Sequence, residues 1–268
     1  MKIERFNIGD DFVCNMYIVG EEGEPCIVVD PGADPNNFIE KYVRKHHNGQ
    51  IAGFLLTHGH YDHVEGLKLC NIYVIGEEGE PCIIVDPGAD PNQFLEKYVS
   101  KHHGGQIAGF LLTHGHYDHI EGLRLCTMKA PVYVHLLEEE FLVEPAYNLS
   151  LDFLDNLYIR GLKTVLFIDG DILNIGKYRI KVIHTPFHTR GSSCFYFEDE
   201  HVLISGDTLF HLSVGRTDLL TGSPRTLESS LKKLIVLPPE TKVYPGHGPA
   251  TTIGDELRLN PYLKSLKR

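Results

Sequence analysis

The sequence has no tryptophan, only three methionines and only six cysteines. Cys14, Cys26, Cys70, Cys82, Cys126 and Cys194 never approach a C-x-x-C spacing, so the pattern of a thiolate-built zinc site or a dithiol redox motif is missing. They stand among strand-like apolar residues and read as buried or idle thiols. Long hydrophobic runs are also lacking. No stretch approaches the length of a membrane span, and the opening MKIERFNIGDDF lacks the apolar core of a signal peptide. The expectation is a cytoplasmic chain with no membrane partner. Basic residues are outnumbered 25 to 36, for a formal net charge of −11. Nucleic acid is therefore not the expected partner, because that binding rests on a basic surface. A small molecule is.

What the sequence does contain is a copy of itself. Cys14–Leu69 returns as Cys70–Leu125 at a constant offset of 56, with 10 differences. Most are mild, such as Ile39 against Leu95, Val64 against Ile120 and Lys68 against Arg124; Arg44 against Ser100 is the boldest. Both copies satisfy one structural pattern. A solenoid needs three or more units, and no third is present. Removing one copy leaves 268 − 56 = 212 residues, the size of one α/β domain. The expected organisation is thus a single domain over 1–268, with tandem segments 14–69 and 70–125 of which one is surplus.

Each copy reads as strand, strand, helix, strand, loop. Tyr17–Gly20 and Cys26–Val29 flank a glycine-rich turn, and Asp30-Pro31-Gly32 closes the second. Pro35 opens a helix with Phe38, Ile39, Tyr42 and Val43 at helical spacing, stopped by Asn48-Gly49. His46, His47, His102 and His103 end these helices, where a cation suits the dipole. Farther on, Pro131–His135, Thr164–Ile168, Cys194–Phe197 and Val202–Ile204 read as strands, Ile172–Ile183 as a hairpin around Gly176, and Glu138–Leu142 as an acidic helical stretch. Ser223-Pro224 predicts a helix start; Thr252 with Asp255 predicts another, ended by Pro261.

The third strand of each copy runs into a histidine cluster: Thr57-His58-Gly59-His60-Tyr61-Asp62-His63, then Thr113-His114-Gly115-His116-Tyr117-Asp118-His119. Alternate histidines in extended backbone share a side, and the following Asp-His pair turns toward a neighbouring point, so two adjacent cation sites become possible. Imidazole with carboxylate suits zinc, iron or manganese. A lone histidine is ordinarily a surface or core residue. A cluster of three at a strand end, where α/β folds keep ligands, is a different matter.

At this point the chain resembles the metallo-β-lactamase superfamily over nearly its whole length. The family's H-x-H-x-D-H motif stands at His58–His63 and again at His114–His119. His184-Thr185-Pro186-Phe187-His188-Thr189-Arg190-Gly191-Ser192 is similar to its next motif, Leu203-Ile204-Ser205-Gly206-Asp207-Thr208 to the strand delivering a bridging aspartate, and Pro245-Gly246-His247-Gly248 to its last. The resemblance implies an α/β fold, the αββα sandwich, with one surplus β-β-α-β segment. It implies two divalent metal ions, zinc being expected and iron or manganese the alternatives. The first would be held by His114, His116 and His188, the second by Asp118, His119 and His247, with Asp207 between; Asp118 and Asp207 would also be catalytic. A hydroxide shared by two cations is nucleophilic near neutral pH. Phe187 replaces a glycine common in the family and is expected to narrow the site mouth. His135 and His184, near the site, are weighed evenly between supporting it and mere packing.

One His188, one Asp207 and one His247 complete only one site. The second copy runs unbroken into Pro131–His135, which favours it; His58, His60, Asp62 and His63 are the alternative set, and a homodimer or exchange of segments between chains stays open. Ser213–Asp218, Thr251–Glu256 and Asn260-Pro261 resemble short bacterial glyoxalase II-type proteins, which hydrolyse thioesters such as S-lactoylglutathione. The chain stops at Arg268 without the helical domain that grips glutathione in the full-length enzymes, so glutathione recognition is not implied. Persulfide dioxygenases share much of the motif pattern with a single iron, and a catalytically impaired duplicate is the remaining alternative.

Overall fold

A computed structural model describes residues 2–8, 14–29, 38–48, 50–55, 70–88, 94–153 and 156–266. The chain divides into two compact units, Met1–Lys68 and Leu69–Arg268, with the boundary one residue before the junction of the two repeats.

The first unit is a four-stranded sheet with one helix. Strands β1 (Lys2–Ile8), β2 (Cys14–Gly20) and β3 (Cys26–Val29) pair antiparallel, and β4 (Ile51–Leu55) joins β3 in parallel after helix α1 (Phe38–His46). Met16, Ile18, Cys26 and Val28 on one sheet face pack against Ile39 and Val43 of α1. Ile27, which points to the opposite face, is 42% exposed. The expected helix opening at Pro35 lies outside the described residues, as do His58, His60, Asp62 and His63.

The second unit repeats that pattern and extends it. Strands β5 (Tyr73–Ile75), β6 (Cys82–Val85) and β7 (Ile107–Leu111), with helix α2 (Phe94–His102), follow their counterparts by 56 residues, including the register shift at the start of the parallel pair. Strands β8 (Val132–His135) and β9 (Thr164–Phe167) continue the sheet in the order β5-β6-β7-β8-β9. Short helices α3 (Tyr117–Ile120) and α4 (Gly122–Leu125) follow β7, and α5 (Ser150–Phe153) precedes β9. A second sheet is built from β10 (Ile172–Ile175), β11 (Tyr178–His184), β12 (Ser193–Phe197) and β13 (Val202–Gly206). The small pair β14 (Leu209–Phe210) and β15 (Ser213–Val214) intervenes before β16 (Lys242–Pro245) and β17 (Thr251–Thr252) complete its order, β10-β11-β12-β13-β16-β17. Helices α6 (Leu227–Leu234), α7 (Ile253–Leu259) and α8 (Pro261–Lys264) cover its outer face.

Strand alternation explains the layering. Ile84 and Cys82 of β6 face α2 with Leu95, Val99, Phe110 and Ile120. Ile83 and Val85 face the other way, into a core between the sheets shared with Phe167, Ile180, Val182, Phe195, Phe197 and Ile204. Cys194, Tyr196, Leu203 and Val243 point outward again to meet Leu231, Leu234, Ile253 and Leu263. The result is an αββα sandwich in this unit. Ile83 is 1% exposed where its counterpart Ile27 is 42% exposed, so the same strand sequence is covered on both faces in one unit and on one in the other.

Several local expectations need adjusting. Helix α6 starts at Leu227, later than Ser223-Pro224 suggested; the Thr226 hydroxyl before it donates to the Pro186 and Ser223 carbonyls and does not cap the helix. Thr252 caps α7 by accepting the Asp255 amide at 3.0 Å, and Pro261 stands at the start of α8, where its missing N–H costs nothing. The Glu138–Leu142 stretch is a single 3-10 turn, Glu139–Leu142. His103, just past the end of its helix, is buried, and its Nδ1 donates to the Glu80 carbonyl at 3.0 Å. Cys26, Cys70, Cys82 and Cys194 are buried free thiols, and Cys126 is half-buried. No helix among the described residues is long and apolar enough to cross a membrane.

Phe195 is fully buried between the sheets, where its ring meets Phe167 edge-on at 5.6 Å. Phe195→Ala is expected to lower stability by about 3–5 kcal/mol. Urea unfolding followed by far-UV circular dichroism measures this, the chain having no tryptophan to report by fluorescence; a loss below about 1 kcal/mol would contradict a dry inter-sheet core.

Candidate metal centre

Four loops at strand C-terminal ends carry the candidate ligands. His114 and His116 follow β7, and Asp118 and His119 lie in the single turn of α3. His188 follows β11, Asp207 directly follows β13, and His247 follows β16. Strands β11 and β13 both run antiparallel to β12, and β16 runs parallel to β13, so the three loops of the second sheet leave at the same end. At the end of β13 a glycine lets the chain turn tightly: Gly206 has φ +48, and a Cβ on it would lie 2.4 Å from Thr113 Oγ1.

The side chains converge in two adjacent groups. His116 Nδ1 lies 3.1 Å from His114 Nε2 and 3.0 Å from His188 Nε2. His119 Nε2 lies 3.3 Å from His247 Nε2, 3.4 Å from Asp207 Oδ1 and 3.7 Å from Asp118 Oδ2. Asp207 reaches both groups, with Oδ2 3.4 Å from His188 Nε2 and 3.6 Å from His247 Nε2. Three clusters of mutually close ligand atoms result: His114, His116 and His188; His114, His119 and Asp207; Asp118, His119 and His247. His247 and Asp118 are the more exposed members, so the centre opens on their side.

The far nitrogens determine which way the lone pairs point. His188 Nδ1 donates to the Arg216 carbonyl at 3.0 Å, leaving Nε2 as an acceptor toward the cluster. Asp86 does the same for two rings. Its Oδ2 accepts His119 Nδ1–H at 2.9 Å and the Thr113 hydroxyl at 2.6 Å, while Oδ1 accepts the Thr113 amide at 2.8 Å. Thr113 Oγ1, its proton given to Asp86, accepts His114 Nδ1–H at 3.1 Å. Three imidazoles therefore aim Nε2 inward.

Such an arrangement suits a cation and little else. Burial, aided by the other rings, pushes His114 well below its ordinary pKa, and burial with the neighbouring His188 pushes His116 down to about 3. Protonating these rings is thus disfavoured. Around His119 the balance reverses: burial opposes its charge, yet Cys70, Asp118, Asp86 and Asp207 together lift it well above the usual value. Burial works against ionising Asp118 and Asp207 too, but the histidines hold Asp118 at about 2 and Asp207 well below the usual carboxylate range. Asp207 Oδ1 is buried with no hydrogen-bond partner, an acceptor that a cation held by these residues would satisfy. The donor set fits divalent zinc, iron or manganese.

Asp86 was not among the residues singled out from the sequence. The only signal was Asp-Pro-Gly after a β-branched run, which reads as a turn; its φ of +48 agrees with a turn, and only the fold reveals what its carboxylate holds. Phe187 corrects another expectation. It is fully buried with Ile183, Leu209 and Leu231 under the second sheet, so it does not narrow the mouth. His135 and His184 stack on each other at 4.2 Å, and His184 Nε2 donates to the Arg190 carbonyl at 2.9 Å, which supports the backbone of the His188 loop without touching a candidate ligand.

Replacing Asp207 by alanine removes the one carboxylate shared by both groups. Asp207→Ala protein purified without chelator is expected to lose bound metal together with activity, as read by elemental analysis. Full occupancy in an active variant would refute a shared carboxylate.

Comparison with known proteins agrees with this geometry. The model of the metallo-beta-lactamase superfamily matches residues 9–69 and again 66–247. An uncharacterized protein of Mycobacterium tuberculosis is 40% identical over 217 residues, spanning 76% of this chain and 96% of the relative. The probable metallo-hydrolase YqgX of Bacillus subtilis is 38% identical, over 69% and 88%, and the hydroxyacylglutathione hydrolase GloC of Haemophilus influenzae 31%, over 73% and 93%. Among solved structures, the BLEG-1 B3 metallo-beta-lactamase is similar with 37% identity and a TM-score of 0.67, over 73% of this chain and 95% of that one. TTHA1623 in a di-iron-bound form is similar with 36% identity and a TM-score of 0.59, over 72% and 95%. By the matched motifs, the sandwich and these relatives alike, the chain belongs to the metallo-beta-lactamase superfamily.

Proposed function

We propose that this member of the superfamily hydrolyses a small thioester such as S-lactoylglutathione, using two divalent metal ions held by His114, His116, His188, Asp118, His119, His247 and Asp207. The observation that carries this reading is the pair of adjacent ligand groups joined by Asp207. Metal ions bound there would acidify water and polarise a carbonyl oxygen. The second repeat supplies the ligands in this reading, because His116 Nδ1 stands 3.0 Å from His188 Nε2 and His119 Nε2 stands 3.3 Å from His247 Nε2.

The residues of the chain divide the work. Asp118, kept ionised with its Oδ2 beside His247 Nε2 at 3.2 Å, is placed to accept a hydrogen bond from the attacking water and orient it; the proton of that water, made labile by metal ions held here, would pass to solvent on the open side. The water oxygen bonds to the thioester carbon, the C–S bond breaks, and the electron pair leaves on sulfur. A thiolate needs no proton to depart, so the lack of a dedicated acid in the motif set is compatible with this substrate. The net charge of −11 favours a small molecule over nucleic acid. The relative named hydroxyacylglutathione hydrolase adds support for a thioester, and the di-iron-bound relative keeps iron beside zinc as the native ion.

Purified full-length protein is expected to carry two metal ions per chain and to turn over S-lactoylglutathione. One iron per chain with oxygen uptake would instead indicate a dioxygenase. Replacing His114 and His116 together by alanine is expected to silence the enzyme and empty the site, and replacing His58 and His60 to leave turnover within a few-fold of the parent. Equal loss in both double variants would contradict the assignment to the second repeat.

A further inference from the structure

Between the loop of His114 and His116 and the loop of His188 lies a carboxylate that belongs to neither. Glu138 follows β8, and its side chain is fully buried. Oε2 accepts the Gly115 amide at 2.8 Å. Oε1 accepts the Gly191 amide at 2.7 Å and the Thr189 hydroxyl at 2.8 Å. Gly115 stands between His114 and His116, and Thr189 directly follows His188, so one side chain fastens the two segments whose histidines form the first ligand group.

The surroundings are shaped for this contact. A Cβ on Gly191 would lie 2.5 Å from Glu138 Cγ, and one on Gly115 would lie 2.3 Å from Phe141 Cβ. Burial is the strongest influence on the carboxyl and pushes it up to about 7, against the pull of Thr189, Gly115, Gly191 and Arg190. A group wanted only to fill space would be apolar and would avoid that desolvation. What an apolar residue lacks is two oxygens able to accept from both loops.

We propose that Glu138 is a positioning residue of the metal centre, setting the approach of His116 to His188 by holding Gly115 to Thr189 and Gly191. The inference rests on the metal-binding reading given above. Glutamine has the same shape but exchanges one oxygen for an NH2 group, so in either orientation it turns a donor toward an existing donor. Glu138→Gln therefore removes the fastening while keeping the volume.

The test compares zinc affinity, by competition with a chromophoric chelator, and the visible absorption of the cobalt-loaded protein, with the thermal midpoint of the metal-free protein measured alongside. Glu138→Gln is expected to bind zinc about 10–100-fold more weakly and to shift the cobalt spectrum. A lower midpoint with unchanged zinc affinity and cobalt spectrum would make Glu138 a purely structural residue and overturn the proposal. Should Glu138→Gln fail to fold, Thr189→Val decides the matter. It removes one donor and leaves the carboxylate, so a smaller weakening is expected, and unchanged affinity again overturns the role. Wild-type protein that takes up zinc, with His188→Ala losing it, establishes the centre itself. Wild-type protein without zinc binding overturns the centre and this inference together, whereas normal wild-type binding with an indifferent Glu138→Gln overturns the inference alone.

Discussion

Imidazole nitrogens and carboxylate oxygens, set a little over 3 Å apart in a largely dry interior, are what the second unit has to hold in place. Left to themselves these groups would turn away from one another. For three of the rings a bond on the far side prevents this. The Arg216 carbonyl fixes the His188 ring, and Asp86 fixes His119 directly and His114 through Thr113. The packed sandwich then denies the rings room to rotate. Order at the centre is thus maintained from the surrounding shell, and the shell is maintained by burial.

The strands contribute direction. Because β7, β11, β13 and β16 each release a ligand-bearing loop from the C-terminal end, the four loops can meet over the edge of the two-sheet core without a long connection. The two repeats show how much depends on what surrounds such a segment. Nearly identical sequence gives the same strand–helix–strand unit twice, with the same register shift in the parallel pair. Yet β2, paired with β1, runs for seven residues where β5, at a sheet edge, runs for three. Helix and strand content is local; length and burial follow from neighbours.

That distinction also explains what could be seen in the sequence. His114, His116, Asp118 and His119 announce themselves because four ligand-type side chains fall within six positions after an apolar run. His188, Asp207 and His247 are each unremarkable alone and became visible only through motifs similar to those of a known family. Asp86 stayed hidden because Asp-Pro-Gly is fully accounted for as a turn, and nothing in it points 27 residues ahead to Thr113. Glu138 looked like one more acid in an acidic stretch, since its partners are 23 and 53 positions away. Phe187 was misjudged for the converse reason: its place in a ligand motif suggested the mouth, while its size and apolarity sent it to the core. Chemistry concentrated along the chain is legible, whereas roles created by distant partners need the fold.

The floor of the centre is largely backbone. A Cβ on Gly246 would lie 2.2 Å from Asp207 Oδ1 and 2.7 Å from His119 Cε1, and one on Gly215 would lie 1.9 Å from the Asp207 carbonyl oxygen. No side chain, however small, can be introduced at either position without displacing a ligand. Mutational drift is therefore barred from beneath the reactive groups, and diversification toward other substrates has to act through the outer rim, where Phe210 borders His247.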